Sequence, residues 1–92
     1  MLTYEFDKAA VDIRETANEN DIEFTIRLLK EFPEPNPMKL VQHTFEHDEV
    51  LTDALFYAYP NQEYKAIVRK DYYDDFVLEL MRRGLLTCVR RT

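Results

Sequence analysis

Glycine occurs once in this 92-residue chain, at Gly84. Phosphate-binding loops, dinucleotide fingerprints and nucleophile elbows each need several glycines where backbone approaches a ligand or turns sharply. Those enzyme classes are excluded. Cysteine also occurs once, at Cys88, so no internal disulfide forms and a reducing, cytoplasmic setting is expected. Tryptophan is absent, which leaves six Phe and six Tyr to supply the aromatic interior. No window approaches the roughly 18 uninterrupted apolar residues of a membrane span. Met1 to Asp7 has no basic segment followed by an apolar one, so no export signal is read. The length suits one domain over residues 1–92 with a modest core and little room for a deep cleft.

What the chain does have is acid. Eighteen Asp and Glu against twelve Lys and Arg give a net charge of −6. Residues 1–63 hold fourteen acids and five bases, a net of −9, whereas residues 64–92 hold four acids and seven bases, a net of +3. Such a surface repels nucleic-acid and membrane phosphates, so neither is expected as a direct partner. It suits a basic protein, or simply solubility.

Leu2, Tyr4 and Phe6 alternate with polar residues and predict a short strand. Asp7 then stands as the cap of a helix from Lys8 to about Glu19, with Ala10, Ile13 and Ala17 on its inner face. Ile22, Phe24, Ile26 and Leu28 alternate as a strand, the rival being a helix continuing to Phe32. Pro33, Pro35 and Pro37 impose a stiff loop. Met38 to Thr44 is ambiguous. A helix is expected from Asp48 or Glu49 to about Tyr59, then a turn at Pro60-Asn61-Gln62 and a strand over Glu63–Arg69. Asp71 opens a helix that runs to Arg83 and stops at Gly84, and Leu85 to Arg91 closes as a strand. The expectation is an α+β fold: a small two-layer domain with about three helices packed on a mostly antiparallel sheet of about four strands.

Three constellations carry chemistry. His43-Thr44-Phe45-Glu46-His47 fits H-x-x-E-H, in which two histidines one helical turn apart bind zinc and the glutamate acts as base. A hydrolase also needs a third ligand, a cleft and oxyanion donors. With no other histidine, the ligand would be a carboxylate such as Asp71 or Glu79. The expectation is therefore no enzyme, no metal and no cofactor. The acidic rows weigh more: Asp12, Glu15 and Glu19; Glu46, Asp48, Glu49 and Asp53; and Asp71, Asp75 and Glu79 with Asp74 beside them. Carboxylates four apart on a helix are separated by about 6 Å of rise, the same order as the charge repeat of a nucleic-acid strand, roughly 3.4 Å. The bland alternative is that exposed helix faces are usually charged. Lastly, Tyr57, Tyr59 and Tyr64 around a turn are candidates for a dimer contact, and Cys88 reads as a core residue.

In its size, its acidity, its rows of carboxylates and its single glycine, the chain resembles the small Arn-type anti-restriction proteins of T-even bacteriophages. The resemblance implies a homodimeric DNA mimic without catalytic residues. Its partner would be a host DNA-binding protein, a modification-dependent restriction endonuclease of the McrBC type, which it keeps off phage DNA. The acids named above would form its binding surface. The basic final third departs from a uniformly acidic mimic.

Overall fold

The computed structural model describes residues 2–47 and 54–91. In chain order the elements are β1 (Leu2–Glu5), β2 (Val11–Ala17), β3 (Asp21–Leu28), α1 (Pro37–His47), β4 (Ala54–Tyr59), β5 (Glu63–Arg69), a 3-10 turn (Lys70–Tyr72), α2 (Tyr73–Arg82) and β6 (Cys88–Arg91). The α+β class is as expected. The arrangement has two α-helices rather than three among the described residues, and its six strands form two antiparallel sheets. One sheet has the order β2-β3-β5-β4, and β1 with β6 makes a separate two-stranded ribbon.

β3 is central because its alternation is the strongest in the chain. Ile22, Phe24, Ile26 and Leu28 are all buried, and its partners continue the pattern. Ile13, Ile26, Tyr64 and Ala58 lie in one cross-strand row, and Phe24, Ala66 and Phe56 in the next. Both helices cover this side. Phe76 of α2 lies 4.5 Å from Phe24, 5.6 Å from Phe45 of α1 and 6.2 Å from Phe56, ring centre to ring centre. Phe24, Phe45 and Phe76 are fully enclosed. The aromatic interior forecast from composition is thus built mainly from Phe.

The helix expected over residues 8–19 is a strand. The Asp7 carboxylate does accept a bond from the Ala9 N–H, and its carbonyl accepts from Ala10 and Val11, but these close one turn only. Val11 and Ile13 then alternate with Asp12 and Arg14, and seven residues pair with β3. Pairing with a strong central strand outweighs a weak 3.6-residue pattern whose inner face was two alanines and one isoleucine. The helix expected to end near Tyr59 is likewise overturned over Ala54–Tyr59, which is β4. Its earlier part, 48–53, lies outside the described residues. Asn61 and Gln62, at φ 65° and 60°, make the two left-handed centre residues of the β4–β5 hairpin, the conformation whose twist suits such a turn.

α1 begins where Asn36 Oδ1 accepts from Met38 N (2.8 Å) and Lys39 N (3.4 Å), with Pro37 at the first helical position. That resolves the ambiguous stretch as helix. Phe32 to Asn36 is irregular as expected, with a cis bond between Glu34 and Pro35, and Pro37 belongs to the helix instead. α2 starts with Asp74 and Asp75 and ends with Arg82, which complements the helix dipole. Gly84, at φ 81°, allows Leu85 N to reach the Leu80 carbonyl at 3.0 Å, a cap that requires a left-handed residue.

Candidate functional site

The expected acidic residues divide into groups of different fate. As a strand, β2 sends Asp12 and Glu15 to opposite faces of the sheet, so the row of Asp12, Glu15 and Glu19 does not exist. Glu15 lies on the helix-covered side. It accepts hydrogen bonds at Oε2 from the Tyr4 hydroxyl of β1 and from the Tyr73 hydroxyl of α2, the latter at 2.9 Å. Asp74, one residue on, accepts from the Leu2 N–H at 3.3 Å. Glu19 and Asp71 line a shallow depression of about 260 Å³ together with Asn20, Arg69 and Lys70. Glu15 through Tyr73, and Glu19 through the depression it shares with Asp71, thus each meet the segment that opens α2 and carries Asp74, with Arg69 and Lys70 among them. Sequence spacing could not have grouped them, because two come from a strand and its turn.

Asp12 pairs with Arg14 at 3.1 Å on the open sheet face. Asp75 is exposed on α2, and Glu46 on α1 accepts from Gln42 at 2.7 Å. Asp48, Glu49 and Asp53 lie outside the described residues. Glu79 is a correction: it is only 3% exposed, not part of a charged surface. Its carboxylate receives Arg83 Nε at 2.6 Å, Arg82 Nη1 at 2.9 Å and the Thr44 hydroxyl at 3.0 Å, so it ties α2 to α1.

The two tyrosines on Glu15 have a measurable consequence. Burial first, and then the hydrogen bond to Glu15, raise both phenols well above their ordinary value. Above the usual phenol pKa of about 10 the unfolded chain loses protons that the folded chain keeps, so stability falls as pH rises further. Below that point both states hold the protons and the contribution is complete. The urea midpoint is expected to be flat up to about pH 9.5 and to fall above about pH 10. Tyr73→Phe should reduce that fall; an identical alkaline limb in Tyr73→Phe and Tyr4→Phe would count against the pair.

The four-stranded sheet has a second face that no described helix covers. One row across it reads Thr16, Glu23, Ile67, Leu55; the next Arg14, Thr25, Lys65, Tyr57; the third Asp12, Arg27, Glu63, Tyr59. With Asp21 opposite Arg69, its four acids equal its four bases. The acidic excess of the chain is carried elsewhere. At its β4 margin Leu55, Tyr57 and Tyr59 are 59%, 46% and 44% exposed. Tyr64, grouped with them from sequence, points to the opposite side and accepts from Asn36 Nδ2 at 3.0 Å.

His43 and His47 do sit one turn apart on α1, their rings 4.0 Å apart and stacked at 27°. Among the described residues no third His, Cys, Asp or Glu completes a metal-holding group with them, and Glu79, one of the two carboxylates considered, is occupied by arginine. No described helix is long and apolar enough to cross a membrane. Comparison with protein-family models, curated proteins and solved structures finds no match to the chain.

Proposed function

We propose that this chain is a non-catalytic inhibitor that offers carboxylates in place of duplex phosphates to a host DNA-binding protein. A modification-dependent restriction endonuclease of the McrBC type is the proposed partner, and the cytoplasm the proposed site of action. The observation that carries the reading is that Glu15, Glu19, Asp71 and Asp74 lie on or against the segment that opens α2, whereas the open sheet face balances its acids and bases. Arg69 and Lys70 line the same depression as Glu19 and Asp71, so these carboxylates set the register of a basic partner more than they add net charge. Glu15 is held by two tyrosines, so little side-chain freedom is lost when it is engaged.

The test is a pull-down from host lysate with duplex DNA as competitor. DNA should displace the captured protein, and binding should weaken steeply between low and physiological salt. Glu19→Gln with Asp71→Asn is expected to reduce affinity by about tenfold, while Asp12→Asn, whose charge is matched by Arg14, should not. A captured partner that DNA fails to displace sinks the mimicry.

A second reading is an interaction or immunity-type module that docks without copying DNA. It is favoured by one observation, the exposed Leu55, Tyr57 and Tyr59 on a strand with no charge and no proline. Among the described residues β4 pairs only with β5, and such an edge is a template for another strand. The proposed homodimer would form here, by antiparallel pairing of two β4 strands. Under this second reading Tyr57→Lys abolishes partner capture and the acidic substitutions do not.

A further inference from the structure

We infer that His43 and His47 form a two-imidazole chelate for a divalent d-block cation, zinc in a cell, at the C-terminal end of α1. The inference is independent of the inhibitory reading. It starts from spacing, since residues four apart on a helix project from the same face. In this chain the spacing is realised: the rings stack 4.0 Å apart, and both residues are exposed. Imidazole lone pairs lie in the ring planes, so one ion about 2.0–2.1 Å from a nitrogen of each ring sits at the ring edges, and binding turns His43 out of the stack about χ2, a torsion with a broad well, until its lone pair meets that of His47.

The hydrogen bonding selects which nitrogens face the ion. His47 Nδ1 lies 3.0 Å from the His43 carbonyl oxygen, four residues back along the helix. A carbonyl only accepts, so Nδ1 carries the proton and donates. The lone pair of His47 is then on Nε2, directed away from the helix. Histidine ligands of zinc commonly have the other ring nitrogen bonded to a carbonyl or carboxylate, which fixes tautomer and orientation. Here the carbonyl belongs to the residue that supplies the second ring.

The surroundings agree with this placement. His47 is the last described residue of α1. Glu46, between the two in sequence, is turned to Gln42 and does not block the rings. Imidazole pairs select copper, nickel and zinc over the hard cations magnesium and calcium, which require oxygen ligands. With two protein ligands the remaining positions belong to water. The site therefore binds and pins a helical turn; it lacks the three-ligand frame of a catalytic zinc.

Titration of the untagged full chain with zinc chloride, followed calorimetrically, tests the inference. One ion per chain is expected, with no saturation by magnesium. His43→Ala and His47→Ala should each weaken zinc at least about tenfold. Both positions are exposed, so neither variant is expected to unfold. Nitrogen-15 spectra should show zinc shifting Nε2 of His47 while its Nδ1 stays protonated. No saturable zinc binding up to about millimolar, or unchanged affinity in either variant, overturns the site. So does one ion per two chains, because the ion would then bridge copies instead of one helical turn.

Discussion

Replacing Phe76 with alanine is expected to lower stability by about 3–5 kcal/mol, the range for deleting a fully enclosed aromatic ring. Phe76 has no exposed surface and is the one ring in contact with Phe24, Phe45 and Phe56 together. It is the meeting point of α2, α1 and the sheet, so few neighbours can move into the space without giving up other contacts. A domain of this size has a total stability of roughly 5–15 kcal/mol, and the variant should be partly unfolded near body temperature. Urea unfolding checks this: the midpoint should drop with an unchanged slope. Leu78→Ala, two residues along the same helix but 48% exposed, should stay within about 0.5 kcal/mol. Equal effects at the two positions would mean that α2 does not pack as described.

The second large effect is expected at Glu79. Removing one partner of a fully buried ion pair costs about 3–5 kcal/mol. The Arg82 and Arg83 side chains are 67% and 30% exposed, so water compensates part of that loss and about 2–3 kcal/mol is expected for Glu79→Ala. For a domain of this length that is a fall in Tm of about 10–20 °C. Arg83 also donates to the Thr44 hydroxyl at 3.2 Å, so Glu79, Arg83 and Thr44 act as one unit. A double-mutant cycle of Glu79→Ala with Arg83→Ala should therefore be non-additive, the pair costing less than the sum. Measured on the folded fraction, partner binding should be unaffected. A binding defect without a stability defect would return Glu79 to the acidic surface.

The elements that could be read from the sequence are those whose own residues decide the matter. β3 and β5 alternate cleanly, α2 has acids early, arginine late and a glycine stop, and the Asn61-Gln62 turn and the proline loop follow from local backbone preference. β2 and β4 were misread for opposite reasons. The second half of β2, Glu15 to Ala17, is exposed, so no buried alternation reveals it. β4 is apolar on both sides, with Ala54, Phe56 and Ala58 inward and Leu55, Tyr57 and Tyr59 outward, so its alternation is invisible. Both are edge strands, and each is defined by its neighbour. The acidic grouping failed with them. Only pairing places Glu15 beside Tyr73, 58 residues away, and only packing turns Glu79 inward. The His43–His47 spacing survived because it is internal to one helix.

The ribbon of β1 and β6 pairs Leu2 directly with Arg91, then Thr3 with Arg90, Tyr4 with Val89 and Glu5 with Cys88. In an antiparallel ladder the hydrogen bonds lie across the strands. A force drawing residues 2 and 91 apart therefore acts along those bonds and loads them one pair at a time, as in a zipper, rather than sharing the load as in shear. The ribbon should open at low force while the four-stranded sheet still holds. A motor that pulls the chain from its C-terminal side would thus free β6 first and reach Leu85, Leu86 and the aromatic interior only afterwards, so mechanical extraction begins at the least resistant part of the molecule.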